Sequence, residues 1–390
     1  MKLKRRILLI ILVSVALFMT CCGHVAEVDD NSNNFDAQQN LYYDFQISED
    51  NPRNSEGAFI DISENELLFV YSKFTEADRD YSPSSIVSVR SYDNGETWTD
   101  YSEIRNEFDG TDDLMSVSLL RLNNGDIGLF YLARYSMDET KIIMQRSSDN
   151  GHTWSEPHVC STREGYFVVN NDRVIMTSNH RIIIPASEHE AVYNSQGEYR
   201  YMTPGAVTFF VSDDDGITWN EVDCPITLNL SISSSGLQEP GVIELSENEL
   251  WGWARTDLGR QYEFFSHDNG QTWTIATPSR FTSPRSPLSM KRISETMIIA
   301  VWNPVPMNNI TVEDKNTKSR TPLVFSISED NGLTWGEPIV LEDNEQAGFC
   351  YTAIFCNEDH SILLAYCAGT IDDGSCMNRL RIRRLSITNQ

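Results

Sequence analysis

The chain has 390 residues, with 57 acidic against 30 basic side chains and a formal charge of −27 at pH 7. A surface of that sign excludes nucleic acid as a partner of the whole molecule and disfavours an anionic membrane face. The cysteines beyond residue 22, at positions 160, 224, 350, 356, 367 and 376, fit no recognised disulfide framework, and no Cys/His spacing suits a metal.

In chain order, residues 1–22 read as an export signal. Lys2, Lys4, Arg5 and Arg6 form a positive start, and Ile7 to Met19 is an apolar run too short to span a bilayer comfortably. The run ends in Thr20-Cys21-Cys22-Gly23, which looks like a bacterial lipoprotein cleavage site. An exported protein of the cell envelope, anchored by lipid, is the expectation; plain secretion is the alternative. Residues 23–40, rich in Asp, Asn, Ser and Gln, are expected to form a flexible tether. Residues 41–390 then form the folded unit.

Within that unit one pattern, Ser-x-Asp-x-Gly-x-Thr-Trp, occurs five times: Ser91–Trp98, Ser147–Trp154, Ser212–Trp219, Ser266–Trp273 and Ser328–Trp335. A repeat at a narrow period marks one supersecondary unit per copy. The Asp carboxylate can bond backbone N–H groups two residues on, and Gly takes positive φ, so each copy predicts a tight turn stapled by its Trp. An apolar or alternating segment precedes each one: Ile86–Arg90, Ile142–Arg146, Val207–Val211, Tyr262–Phe265 and Leu323–Ile327. These read as strands entering hairpins. The repeated aspartates are therefore turn staples and not catalysts.

The repeat is the Asp-box of the sialidase-type β-propellers, and the chain resembles that family from about Tyr42 to its end. The expected fold is all-β: a six-bladed β-propeller with Asp-box repeats, one blade lacking a box. That last blade would use Tyr351–Phe355, Ile362–Ala368 and Leu380–Ile387, with an early strand near Leu41–Ile47 closing the ring.

Chemistry in a propeller lies at the axis, so its residues must come from several blades. Gln238-Glu239-Pro240-Gly241 begins one strand and Trp253-Ala254-Arg255 ends the next, which the Ser246–Glu249 turn would bring to one edge. This segment resembles the sialidase motif of a glutamate followed by an arginine. The resemblance further implies Arg320 and, in the first blade, Arg53 as carboxylate-binding arginines. A guanidinium fork matches a carboxylate bidentately, and clustered arginines call for an anion. Tyr351 stands where the family keeps its catalytic tyrosine, with Glu239 as its base; sialidases use a tyrosine nucleophile.

The long loop Thr75–Pro83 carries Glu76, Asp78 and Asp80, and Asp80 is the best match for the acid/base. Asp112 or Asp113, the latter preferred, is expected at the rim of the second blade, with His189 and Glu190 as further rim candidates. Two departures stand out: the first-blade motif around Arg53 is missing, and Cys367 replaces a glutamate that orients that arginine. Glu56 is the alternative contribution to that corner.

The reading that follows is a sialidase-like exo-glycoside hydrolase, retaining configuration, acting as a monomer without metal or organic cofactor on a glycan with a terminal carboxylated sugar. A non-catalytic carbohydrate-binding propeller is one alternative. A lyase or hydrolase acting on uronic acid-containing glycans is another.

Overall fold

A computed structural model describes residues 35–104, 110–228, 231, 233–306 and 320–387. The export signal, Cys21 and Cys22 lie outside the described residues.

All regular structure in the described residues is β, gathered into six antiparallel sheets around an axis and one added hairpin. The first blade runs outward through β2 (Arg53–Ser63), β3 (Glu66–Phe74), β4 (Ser84–Ser91) and β5 (Thr99–Ile104). The second comprises β6 (Asp113–Arg121), β7 (Ile127–Arg134), β8 (Thr140–Ser147) and β9 (His158–Val159). In the third, β10 (Tyr166–Val168), β12 (Ile182–His189), β15 (Ala206–Ser212) and β16 (Asn220–Glu221) follow in order, with β11 (Ile175–Met176) beside β12. Its added hairpin, β13 (Ala191–Tyr193) and β14 (Tyr199–Met202), accounts for the wide spacing between the second and third boxes.

The fourth blade holds β17 (Gln238–Ser246), β18 (Glu249–Arg255), β19 (Arg260–Ser266) and β20 (Thr277–Thr282). The fifth holds β21 (Ser289–Arg292), β22 (Ile298–Trp302), β23 (Leu323–Ser328) and β24 (Ile339–Glu342). The sixth is built from both ends of the chain. β25 (Cys350–Cys356), β26 (Ile362–Cys367) and β27 (Leu380–Ile387) are completed by β1 (Phe35–Asp44), which pairs antiparallel with β27. That closure removes a long exposed edge and ties first strand to last. β1 begins at Phe35, not Leu41, so the last residues expected in the tether belong to the ladder instead.

Each Asp-box forms the turn between the third and fourth strands of its blade. In the third blade, Ser212 Oγ donates to Asp214 Oδ1 at 2.8 Å and accepts from the Gly216 N–H at 2.8 Å. Thr218 donates its N–H to Asp214 Oδ1 at 2.8 Å and its hydroxyl to Oδ2 at 2.6 Å. The other four boxes repeat these contacts. The Asp thus reaches Thr four residues on, rather than two, because the serine hydroxyl takes the intervening glycine N–H. Gly216 sits at φ +81° and Asp215 before it at φ +65°, so the turn needs two consecutive left-handed residues.

The core is divided among the junctions between blades. Six apolar clusters lie at these junctions, five drawing on two neighbouring blades and one adding Phe74 of the first blade to the second and third, and the pair formed by the sixth and first closes the circle. Box tryptophans pack into them: Trp219 meets Phe130 of the preceding blade edge-on at 6.1 Å, and Trp335 meets Trp251 at 6.4 Å. Such aromatic pairs contribute about 0.5–1.5 kcal/mol beyond burial of area. The box therefore joins adjacent blades as well as turning the chain.

Candidate active site

Four innermost strands carry the same irregularity where they approach the axis. The ladders of β2, β6, β17 and β25 each skip register near the strand start, between Ser55 and Ala58, Met115 and Ser118, Gln238 and Gly241, and Cys350 and Ala353. Each skip holds one non-glycine residue at positive φ: Glu56 at 60°, Ser116 at 63°, Glu239 at 48° and Tyr351 at 58°. A β-bulge re-aims a side chain out of the pleat. Left-handed backbone at such residues costs about 1–3 kcal/mol each, a strain that surrounding structure must hold. Asn171 supplies part of that hold, donating Nδ2 to the carbonyls of Gly57 at 2.9 Å and Tyr351 at 3.1 Å.

All four bulge residues line one cavity of about 260 Å³ at the axis. Asp80, Arg134, Arg255 and Gln238 line it too, with Tyr166, Asn170 and His189; Met115, Leu132, Val168, Val169 and Met202 supply apolar wall.

Tyr351 Oη donates to Glu239 Oε1 at 3.0 Å. Arg255 Nη1 stands 2.9 Å from Glu239 Oε2, an ion pair whose N–H is not aligned as a hydrogen bond, and its Nη2 donates to Gln238 at 2.6 Å. Register explains the pair: Gln238 opposes Arg255 across β17 and β18, so the next residue shares that arginine's edge. Burial, reinforced by the Glu239 charge, pushes the Tyr351 phenol well above its ordinary range. The phenol is neutral in the resting site and can lose its proton only to a base in contact.

The other predicted arginines stand behind the wall. Arg53 is fully buried, its Nε bonded to Ser55 at 3.0 Å and its guanidinium to Glu56 at 3.0 Å, Asp80 at 2.5 Å and the Asp78 carbonyl at 3.3 Å. Phe74 lies beneath it at 4.3 Å. Glu56, and not Arg53, faces the cavity from this corner; Ser116 donates to its other oxygen at 2.8 Å. Arg320 is buried under the Tyr351 ring at 5.1 Å. It donates to Cys350 Sγ at 3.0 Å and the Arg285 carbonyl at 3.2 Å, leaves Nε unpaired, and forms no ion pair among the described residues.

On the second blade, Asp113 also stands behind the wall and does not line the cavity. It is buried in β6 opposite Arg134, with a carboxylate oxygen 3.4 Å from that guanidinium. Arg134 is the cavity residue here, and sequence reading missed it. Its Nη1 donates to the Asp80 carbonyl at 2.5 Å, its Nη2 meets only Met115 sulfur at 3.9 Å, and Nε is unpaired. A signal existed: Ala133-Arg134 ends β7 as Ala254-Arg255 ends β18. His189 reaches the cavity with Nδ1 on the Thr203 carbonyl at 2.8 Å, so that nitrogen carries the proton, and burial lowers its pKa. Glu190 holds to the hairpin through its N–H on Thr203 instead.

Charge is balanced unevenly. Arg53, Arg134 and Arg255 pair with Glu56, Asp80, Asp113 and Glu239, whereas Arg320 has no carboxylate partner among the described residues. Burial raises the proton affinity of Glu56, partly offset by Arg53, and lifts Asp113 to about 7, partly offset by Arg134. Arg134 and Arg255, which line the cavity, each keep a buried Nε donor without a partner. Among the described residues no group of His, Cys, Asp or Glu could hold a metal ion.

An axial cavity lined by acids, arginines and a phenol, inside a ring of box-stapled blades, defines an Asp-box β-propeller with a polar cavity at its centre. The chain belongs to the BNR repeat-like domain family, whose match spans residues 111–364. Its fold is that of the sialidase superfamily. The leech intramolecular trans-sialidase superposes with a TM-score of 0.66 at 14% identity, over 89% of this chain and 70% of that one. *Trypanosoma rangeli* sialidase gives 0.65 at 15% identity, over 92% and 58%. A protein of unknown function from *Dyadobacter fermentans* DSM 18053 gives 0.67 at 15% identity, over 89% and 98%. Likeness at such identities establishes the fold alone. No curated protein matches the sequence.

Proposed function

We propose that this protein is a retaining exo-glycosidase that releases a terminal α-linked sialic acid or related carboxylated sugar from glycans. The observation that carries the reading is the Tyr351–Glu239 hydrogen bond at 3.0 Å with Arg255 on the second carboxylate oxygen. Tyr351 Oη attacks the anomeric carbon while its proton passes to Glu239, and the glycosidic oxygen leaves with a proton from Asp80. Water, giving a proton to the Asp80 carboxylate, then attacks the anomeric carbon, and the departing phenolate recovers its proton from Glu239, so configuration is retained. A neutral phenol suits a carbon already bearing a carboxylate, because a second anion would be repelled.

The substrate carboxylate binds Arg255 directly. Its charge also competes for Arg53, now held by Asp80 at 2.5 Å. Drawing Arg53 away would raise the proton affinity of Asp80, which must be protonated to act as acid. Arg320, without an ionic partner, strengthens the field from beneath Tyr351. Which acid sugar is taken, including another nonulosonic acid or a uronide, is set by the apolar wall and by Arg134. Export with a lipid on Cys21 or Cys22 completes the proposal and is tested by fatty-acid labelling of the expressed chain.

A non-catalytic carbohydrate-binding role has no use for a base bonded to a buried phenol. A fluorogenic panel of α-linked sialic acid, its deaminated analogue and uronides separates the readings. Turnover that survives Tyr351→Phe and Glu239→Gln unchanged rejects the mechanism, and binding without turnover in the native protein favours the lectin-like role.

A further inference from the structure

Three cysteines stand behind the bulge that presents Tyr351. Cys350 and Cys367 are directly opposed at the open ends of β25 and β26. Cys376 comes from the connection leading to β27, and the three pack as one cluster with Met377 against Tyr351. They are 2%, 0% and 1% exposed. The Cys350 sulfur is in hydrogen-bonding contact with both others. Opposed residues of an antiparallel pair have Cα atoms about 4.5–5.5 Å apart, inside the roughly 4.4–6.8 Å window that a disulfide needs.

We propose that Cys350, Cys367 and Cys376 form a thiol–disulfide site, in which Cys350 is cross-linked to one of its two neighbours while the third remains a thiol. Packing alone accounts for one buried cysteine, which behaves as a small apolar group. It does not account for a Cys350 sulfur set between two others beside a buried guanidinium. Arg320 Nη1 donates to Cys350 Sγ at 3.0 Å, and burial pushes that thiol up to about 12, so the sulfur offers the cation no charge. Cys356, on the same strand, makes the contrast: it is half-buried, its sulfur lies 3.7 Å from the Asn357 carbonyl, and it is outside the cluster.

The chemistry balances with a small-molecule disulfide such as oxidised glutathione. Two Cys–SH groups give one S–S bond, and their two protons and two electrons leave as two molecules of reduced thiol. Burial of all three sulfurs requires the exchange to happen during folding, before the sixth blade closes. The cross-link then pins β25 one residue before Tyr351 and removes the thiol to which Arg320 donates.

This inference does not rest on the glycosidase reading, because its readouts are a covalent bond and a melting temperature. The full chain is refolded from denaturant with oxidised glutathione, alkylated while unfolded, cut at Glu and Asp, and cut again with chymotrypsin after Tyr351 and Phe355, because Cys350 and Cys356 otherwise share one peptide. Trypsin is unsuitable because no Lys or Arg separates Cys350 from Cys376. The expected result is a peptide containing Cys350 joined to one containing Cys367 or Cys376, and a Tm that falls by several degrees when reductant is added. Complete alkylation of the three, a stable glutathione adduct, or a link to Cys356 overturns the proposal. Cys350→Ser should abolish both the cross-link and the reductant effect, and a Cys367–Cys376 link in that variant overturns the central role of Cys350. Should that variant fail to fold, Cys376→Ser must retain a Cys350–Cys367 link, and its absence counts equally against the site.

Discussion

Tyr351 and Glu239, 112 residues apart in sequence, meet at 3.0 Å because each occupies a left-handed bulge at the axial end of its blade. Neither side chain would reach the axis from a regular strand. Strain in the backbone is thus coupled to the placement of a phenol and its base.

Tyr351→Phe removes one hydroxyl and one hydrogen bond, a stability loss of about 0.5–1.5 kcal/mol. Turnover of a fluorogenic sialoside should fall on the order of 10³-fold or more, since the nucleophile itself is gone. Parallel urea melts and initial rates would reveal whether the two effects separate.

Arg255→Ala should destabilise by about 3–5 kcal/mol, because Glu239 would remain buried without its cation. Adding Glu239→Gln to that variant should recover a large part of the loss. A double-mutant cycle in denaturant measures the coupling, and additive losses would show that the two groups do not interact.

For Arg134→Met we expect KM to rise about tenfold or more with kcat little changed, the signature of binding lost equally from ground and transition states. The side chain is close in length, so it removes the charge and the donors while filling much of the same space. An unaltered KM across the sugar panel would remove Arg134 from substrate recognition.

Asp113 gives a pH dependence of stability. Its folded pKa of about 7 lies above the ordinary carboxylate value, burial being the main cause. Between pH about 4 and 7 the folded state holds the proton more tightly than the unfolded chain. Its contribution to stability is therefore present at low pH and declines as pH rises through that window. Asp113→Asn should flatten this slope in Tm measured from pH 4 to 8, and an identical slope in the variant would assign the dependence elsewhere.

Asp214→Ala, in the box of the third blade, removes three hydrogen bonds at an exposed turn. A loss of about 1–3 kcal/mol is expected, with kcat of the folded protein unchanged because the turn is remote from the axis. A specific defect in turnover at full folding would contradict the staple role.

By itself the sequence determined the number of blades, their register and the Glu239–Arg255 edge. These rest on local bonds: a box closes within eight residues, and two strands joined by a short turn fix their own pairing. The sequence did not determine which arginines reach the ligand. Arg53 and Arg320 were legible as axial residues, yet Glu56 on the same strand, Asp80 on the same blade's loop and Cys350 of the next blade engage their donors and hold them behind the wall. Arg134 and Glu56 enter the cavity because a strand end and a bulge aim them there. Those outcomes depend on bulges and on contacts between residues distant in sequence, which exist only once the strands have paired around the axis.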